Sequence, residues 1–195
     1  MTDEIIPIPN LSLPQDLFTL SKSKDPHLQA AAHESLLKGV KADNMAPYYS
    51  LISPAVLPLD RTLLDEMVKA NEEELKKLNE RLAEAGRTEG ESEISDALKA
   101  RANYLTRIGD KVGPYSYYHF PLFHCLRNAQ DQAVAAQLLA LEKTPGLGSR
   151  IDIVLTLVRI GFFFGDHQLI NKYLTKSEKY VVACFSLSCL THFFR

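Results

Sequence analysis

The sequence predicts an all-α protein, an array of antiparallel helical hairpins of tetratricopeptide-like kind behind a long charged helix. Three observations carry this. Residues 91–111 place Ile94, Ala97, Leu98, Arg101, Leu105 and Ile108 at three- and four-residue steps, which gathers one apolar stripe on one helix face, Arg101 contributing only its stem. A Gly109-Asp110 step follows, and the same grammar returns at 151–179, where an apolar helix, Gly165-Asp166 and a second helix succeed one another. Between the proline-rich start and this pair lies a charged segment, 61–85, with a helix–helix seam. A helix, a Gly-Asp turn and a second helix, written twice, is the pattern of stacked hairpins, which ordinarily bind proteins and do no chemistry.

Taken in order, residues 1–14 hold Pro7, Pro9 and Pro14 and read as an irregular tail. A short helix is expected at 15–20. Asp25 caps the next, with Pro26 in its first turn and Leu28, Ala31, Ala32, Leu36, Leu37 and Val40 as its stripe, ending near Gly39. Residues 44–52 form another short helix entered through Pro47, and 53–59 is a linker with Pro54 and Pro58. In the long helix 61–85, Leu64, Val68, Asn71, Leu75, Leu78, Leu82 and Ala85 make the seam, while Glu72–Lys76 and Glu73–Lys77 pair on a solvated face. Residues 86–90 turn the chain, Ser92 N-caps the helix after it, and Gly109 ends that helix. Helical pattern resumes at 131–143, 144–149 is a turn, and 150–164 is apolar nearly all round and therefore central.

Two passages differ in composition. Residues 112–130 carry two prolines, five aromatics and no acid, and residues 180–195 are apolar and uncharged except for His192 and Arg195. All three cysteines (Cys125, Cys184 and Cys189) and nine of the seventeen aromatics fall within them. Asp110 and Asp166 are 56 positions apart, and subtracting the 19 residues 112–130 leaves 37, inside the span of about 34 to 47 of helical-hairpin repeats. Lys111 then abuts Asp131. Both passages read as translated introns: the Val112 codon can open with GT, the Gln130 codon can close with AG, and nineteen codons keep the frame. A divergent truncated paralogue gives the same protein sequence.

The function classes narrow accordingly. A net charge of −2 and the lack of a basic stripe give no reason to expect nucleic acid. The acidic N-terminus is unlike a secretory signal, and 180–195 falls short of the roughly 20 apolar residues of a membrane span. Three cysteines without paired spacing argue against a disulfide framework. His119, His124 and Cys125 are too few for a zinc site and lack a partner pair, and Cys125 lacks the orienting group of a nucleophile. Gly146-Leu147-Gly148 lacks the strand and third glycine of a dinucleotide loop and the lysine of a P-loop. His33-Glu34 lacks a zincin helix's second histidine. Asp110 and Asp166 are better explained as helix caps than as catalytic acids. Tyr48 and Tyr49 form either a partner-binding patch or, more in keeping with their setting, an anchor for a short helix.

The blocks NMAPYY (44–49), DEMVKANEEELKKL (65–78), GESEIS (90–95), YLTRIGDK (104–111) and RIDIVLTLVRIG (150–161) resemble, in order and spacing, the Rpn-seven family of PCI-class proteasome lid subunits, in its N-terminal helical-repeat region. The resemblance covers about 35–111 and 131–179. It implies an all-α scaffold subunit of the 19S regulatory particle lid, serving ubiquitin-dependent protein catabolism in cytoplasm and nucleus. It implies other lid subunits as partners, no nucleic acid, membrane or small-molecule substrate, and no catalytic, cofactor-binding or metal residues. The implied organisation is 1–60 as tail and short helices, 61–179 as the repeat region interrupted at 112–130, and 180–195 as an atypical tail, with the PCI module absent. That absence leads to the expectation that the chain integrates poorly into a lid. The related COP9 signalosome subunit one, and a free-standing peptide-binding helical-repeat adaptor, are the alternative readings.

Overall fold

The computed structural model describes residues 8–88, 90–110 and 132–193. Among the described residues there are eight helices and no strand: α1 (Ser12–Lys22), α2 (Pro26–Ala42), α3 (Ala46–Ile52), α4 (Arg61–Thr88), α5 (Glu91–Arg107), α6 (Gln132–Lys143), α7 (Leu147–Phe164) and α8 (His167–Phe193). Each packs on the next in chain order, and α1 also touches α7.

Aspartate side chains cap the starts of α2, α4 and α8, while the N-cap residues of α1, α3, α5 and α7 make no side-chain cap bond. Asn10 Oδ1 accepts from Ser12 N at 3.1 Å, Asp25 Oδ1 from His27 N at 2.9 Å, and Asp60 Oδ1 from Thr62 N at 2.9 Å. α1 begins earlier than expected and takes Pro14 into its first turn, where the missing N–H has no helical acceptor in any case. α5 starts at Glu91 on Gly90, not on Ser92. Two glycines expected to stop helices lie inside them. Gly39 sits within α2 because Leu13 of α1 packs against it; a Cβ there would lie 2.4 Å from Leu13 Cδ2. Gly86 remains helical within α4, in open space.

The α4 seam is corrected at one position. Met67 is buried at 2% exposure while Val68 is 38% exposed, because the buried row Met67, Asn71, Ala85 follows the 3.6-residue period and puts Val68 one step off it. Helical structure does not end at Lys179 either. No glycine or proline occurs in 167–193 to break it, so α8 runs on to Phe193.

Two cores result. One joins α5 to α8 through Leu98, Ala102, Leu105, Ala133, Leu141, Val154 and Leu157. The other joins α1, α2, α3 and α4 through Leu13, Leu36, Val40, Tyr49, Leu57 and Met67. The end of α7 links them. Phe163 belongs to the second core and packs at a tilt on Tyr48 with centroids 4.9 Å apart, while Phe164 packs against both. α7 is buried as expected along Ile153, Val154, Leu157, Val158, Ile160 and Phe163, but Leu155 and Phe162 on its opposite face are exposed. Among the described residues, no helix is long and apolar enough to cross a membrane.

Candidate interaction surfaces

The Gly-Asp steps build matching corners. At the first, Gly109 adopts φ +70°, its N–H donates to Thr106 O at 3.2 Å, and Asp110 N donates to Leu105 O at 3.1 Å. At the second, Gly165 adopts φ +69°, its N–H donates to Phe162 O at 3.3 Å, and Asp166 N donates to Gly161 O at 2.8 Å. These paired bonds satisfy carbonyls a helix end otherwise leaves open, and only glycine reaches that backbone region without strain. Each aspartate then starts a helix. Asp110 O accepts from Ala133 N at 3.1 Å, Asp166 O from Ile170 N at 3.0 Å, and Asp166 Oδ1 from Leu169 N at 2.9 Å.

A third corner escaped the sequence reading. Asn44 adopts φ +49°, Asn44 N donates to Lys41 O at 3.3 Å, Met45 N to Val40 O at 3.0 Å, and Tyr49 N to Met45 O at 2.8 Å. The signal was asparagine, the non-glycine residue that best tolerates a left-handed backbone.

Buried polar side chains sew the helices together. Asn71 on α4 donates from Nδ2 to Asn44 O at 2.9 Å and accepts at Oδ1 from Tyr104 of α5 at 2.8 Å, so one amide ties three elements. Gln137 on α6, fully buried, donates to Asn103 Oδ1 and Thr106 Oγ1 of α5, each at 3.1 Å. Ser95 Oγ and Thr144 Oγ1 meet at 3.0 Å. Arg150 donates to Tyr180 Oη at 3.3 Å, which holds the Tyr180 phenol below its usual pKa and pins α8 to the start of α7. In sequence only Asn71 was marked, by its place on the α4 seam; Gln137, Ser95, Thr144 and Arg150 carried no such signal, since a buried polar side chain and an exposed one look alike.

The other candidates take structural places. Tyr49 is 1% exposed, and its hydroxyl accepts from Asp60 N at 2.9 Å and donates to Pro58 O, so it ties the 53–59 linker to α3. Tyr48 is 3% exposed and its phenol is pushed up by burial, with the Asp16 carboxylate adding to the shift. Neither tyrosine offers a surface patch. His33 is half-buried and Glu34 exposed on α2. Gly146 is the N-cap of α7, and Leu147 and Gly148 begin that helix inside the expected turn. His119, His124 and Cys125 lie outside the described residues, as do the side chains of Cys184 and Cys189. Among the described residues, no three His, Cys, Asp or Glu side chains gather as metal ligands do.

What faces outward is helix surface. α4 presents a shallow open groove edged by Glu72, Leu75, Lys76, Asn79, Glu80 and Ala83, and Lys77 pairs with Glu74 at 3.3 Å. On α7, Leu155 and Phe162 lie seven residues apart on one face, 44% and 57% exposed. Arg159 lies between them with a buried Nε that lacks a hydrogen-bond acceptor, and loss of solvent lowers its pKa. Such surfaces suit docking of other helices and carry no convergent acid, base or nucleophile.

Comparison with known proteins agrees with this geometry. The family model described as 26S proteasome subunit RPN7 matches residues 60–120 and 116–183. The chain is 33% identical over 173 residues to the 26S proteasome non-ATPase regulatory subunit 6 of Caenorhabditis elegans, a match covering 88% of this chain and 38% of that protein. It is 35% identical to the Arabidopsis thaliana homologue, over 88% of this chain and 40% of that one. With the regulatory subunit RPN7 of Saccharomyces cerevisiae the identity is 27%, over 86% and 40%. The chain thus spans about two fifths of the length of these relatives. With a family match over more than half its residues and relatives that align along most of its length, the chain belongs to the 26S proteasome subunit RPN7 family.

Proposed function

We propose that the chain is a structural, non-catalytic subunit of the proteasome regulatory particle lid, working through helix–helix contacts with other lid subunits in support of ubiquitin-dependent protein degradation. The observation that carries this reading is the RPN7 family match over 60–120 and 116–183, the stretch that forms the two Gly-Asp corners and the larger core. The Caenorhabditis elegans and Arabidopsis thaliana relatives are named as regulatory, non-ATPase subunits, and the described surfaces of α4 and α7 offer helical faces to a partner. In this reading the chain resides in cytoplasm and nucleus and needs no cofactor, nucleic acid, membrane or small-molecule substrate.

The test is affinity purification of the tagged chain from cells at native expression, with quantitative mass spectrometry of what accompanies it. Lid subunits recovered above an untagged control support the reading. Recovery of signalosome subunits instead moves the chain to that complex. Recovery of neither overturns the assignment to both.

A further inference from the structure

We propose that residues 112–130 are a register-neutral insertion in the α5–α6 corner, and that a chain lacking them closes the same corner without them. The argument is one of hydrogen-bond register and is independent of the functional reading. At the second corner the chain is continuous, and Asp166 O accepts from the residue four places on, Ile170. That i to i+4 bond is the first of an α-helix whose N-cap is Asp166. At the first corner Asp110 O accepts from Ala133, 23 places on. Removing the nineteen residues 112–130 leaves the order Asp110, Lys111, Asp131, Gln132, Ala133, in which Ala133 stands four places after Asp110. The bond across the interruption is therefore the one an uninterrupted helix start would make.

The other side of the corner agrees. Gly109 N to Thr106 O and Asp110 N to Leu105 O reproduce Gly165 N to Phe162 O and Asp166 N to Gly161 O, position for position. The two left-handed glycines differ by one degree in φ. Beyond the corner, Gln137 holds α6 to Thr106 and Asn103 of α5, and Ala133, Ala136, Ala140 and Leu141 lie in the core with Leu105 and Ile108. An α6 displaced by one residue would rotate by about 100° and carry all of these off the interface. The family model matches in two pieces, 60–120 and 116–183, whose overlap at 116–120 falls inside this segment. Only a deletion of nineteen preserves the register, and this length is what the corner itself specifies.

The test compares the intact chain with deletions of residues 112–129, 112–130 and 112–131, and with a chain in which 112–130 is replaced by nineteen Gly and Ser residues. Melting is followed by circular dichroism. The deletion of nineteen is expected to melt at or a few degrees above the intact chain, because a shorter loop costs less entropy to close. The deletions of eighteen and twenty are expected to melt at least several degrees below it, and the Gly/Ser chain within about two degrees of the intact one. A nineteen-residue deletion that fails to fold, or that melts no higher than its two neighbours, overturns the proposal. So does unfolding of the Gly/Ser chain, which would show that the native segment contributes to the corner.

Discussion

The two Gly-Asp corners make the same backbone bonds and carry different tertiary loads. At the first, Leu105 and Ala133 occupy the positions that Gly161 and Ile170 hold at the second, in the register described above. Large then small becomes small then large, so close packing is met twice by opposite choices. The glycines differ as well. A Cβ on Gly109 would lie 3.0 Å from Tyr48 Cβ and 3.1 Å from Met45 Cε, so the N-terminal helices rest on this corner. A Cβ on Gly165 would meet nothing within 4 Å. Identical local grammar therefore says little about how much of the molecule leans on a turn.

Substitutions at the corners sharpen this contrast. Gly161→Ala is expected to cost most, about 3 kcal/mol, because its methyl would sit 2.7 Å from Ile170 Cγ1 and 3.1 Å from Ile170 N, and backbone cannot swing aside. Urea denaturation reads this directly, and a loss below about 1 kcal/mol would mean that α7 and α8 can slide apart at little cost. Next come the two left-handed glycines. Gly165→Ala is expected to cost about 1 kcal/mol, the strain of an alanine at φ +69°, and Gly109→Ala about 2 kcal/mol, strain plus contact with α3. Equal losses at the two positions would break the comparison, since they would leave the backbone alone responsible.

The smallest effect concerns the third corner. Asp43 precedes Asn44 at the C-terminal end of α2, and burial raises its pKa above 3.8 despite the opposing Arg107 charge. A raised carboxyl means the folded state disfavours the ionised form. The resulting penalty sets in as pH rises through the unfolded-state value and is complete above the folded-state value. Asp43→Asn is therefore expected to gain a few tenths of a kcal/mol at pH 7, solvent screening and the unfavourable helix-end dipole included, and nothing at pH 3. Thermal melts of both proteins at the two pH values check this, and a gain of equal size at pH 3 would assign it to something other than charge.

Most elements were legible because their signals are local. Apolar spacing placed α5 and α6, proline with Asp25 placed the start of α2, and the Gly-Asp steps placed two corners with their αL glycines. The misses share a different cause. Gly39 and Gly86 carry a local tendency to end helices that packing and the flanking residues override, and Val68 differs from Met67 only in which face meets the second core. The Asn44 corner was missed because its left-handed residue is not a glycine, and the continuation of α8 because composition was taken for a boundary. Tyr48 and Tyr49, open between surface and core in the sequence, were resolved by burial.

What the sequence determined alone is the helical class, the two Gly-Asp corners and the family resemblance; the first two depend on residues a few places apart, and the last on the order of short blocks along the chain. Tertiary structure alone decided the partnerships: Asn71 between Asn44 and Tyr104, Gln137 between Asn103 and Thr106, and Ala133 on Asp110 across 112–130. These join positions 23 to 34 residues apart, where the chain's own geometry sets no distance and only the cost of leaving buried polar groups and voids unfilled selects the pairing.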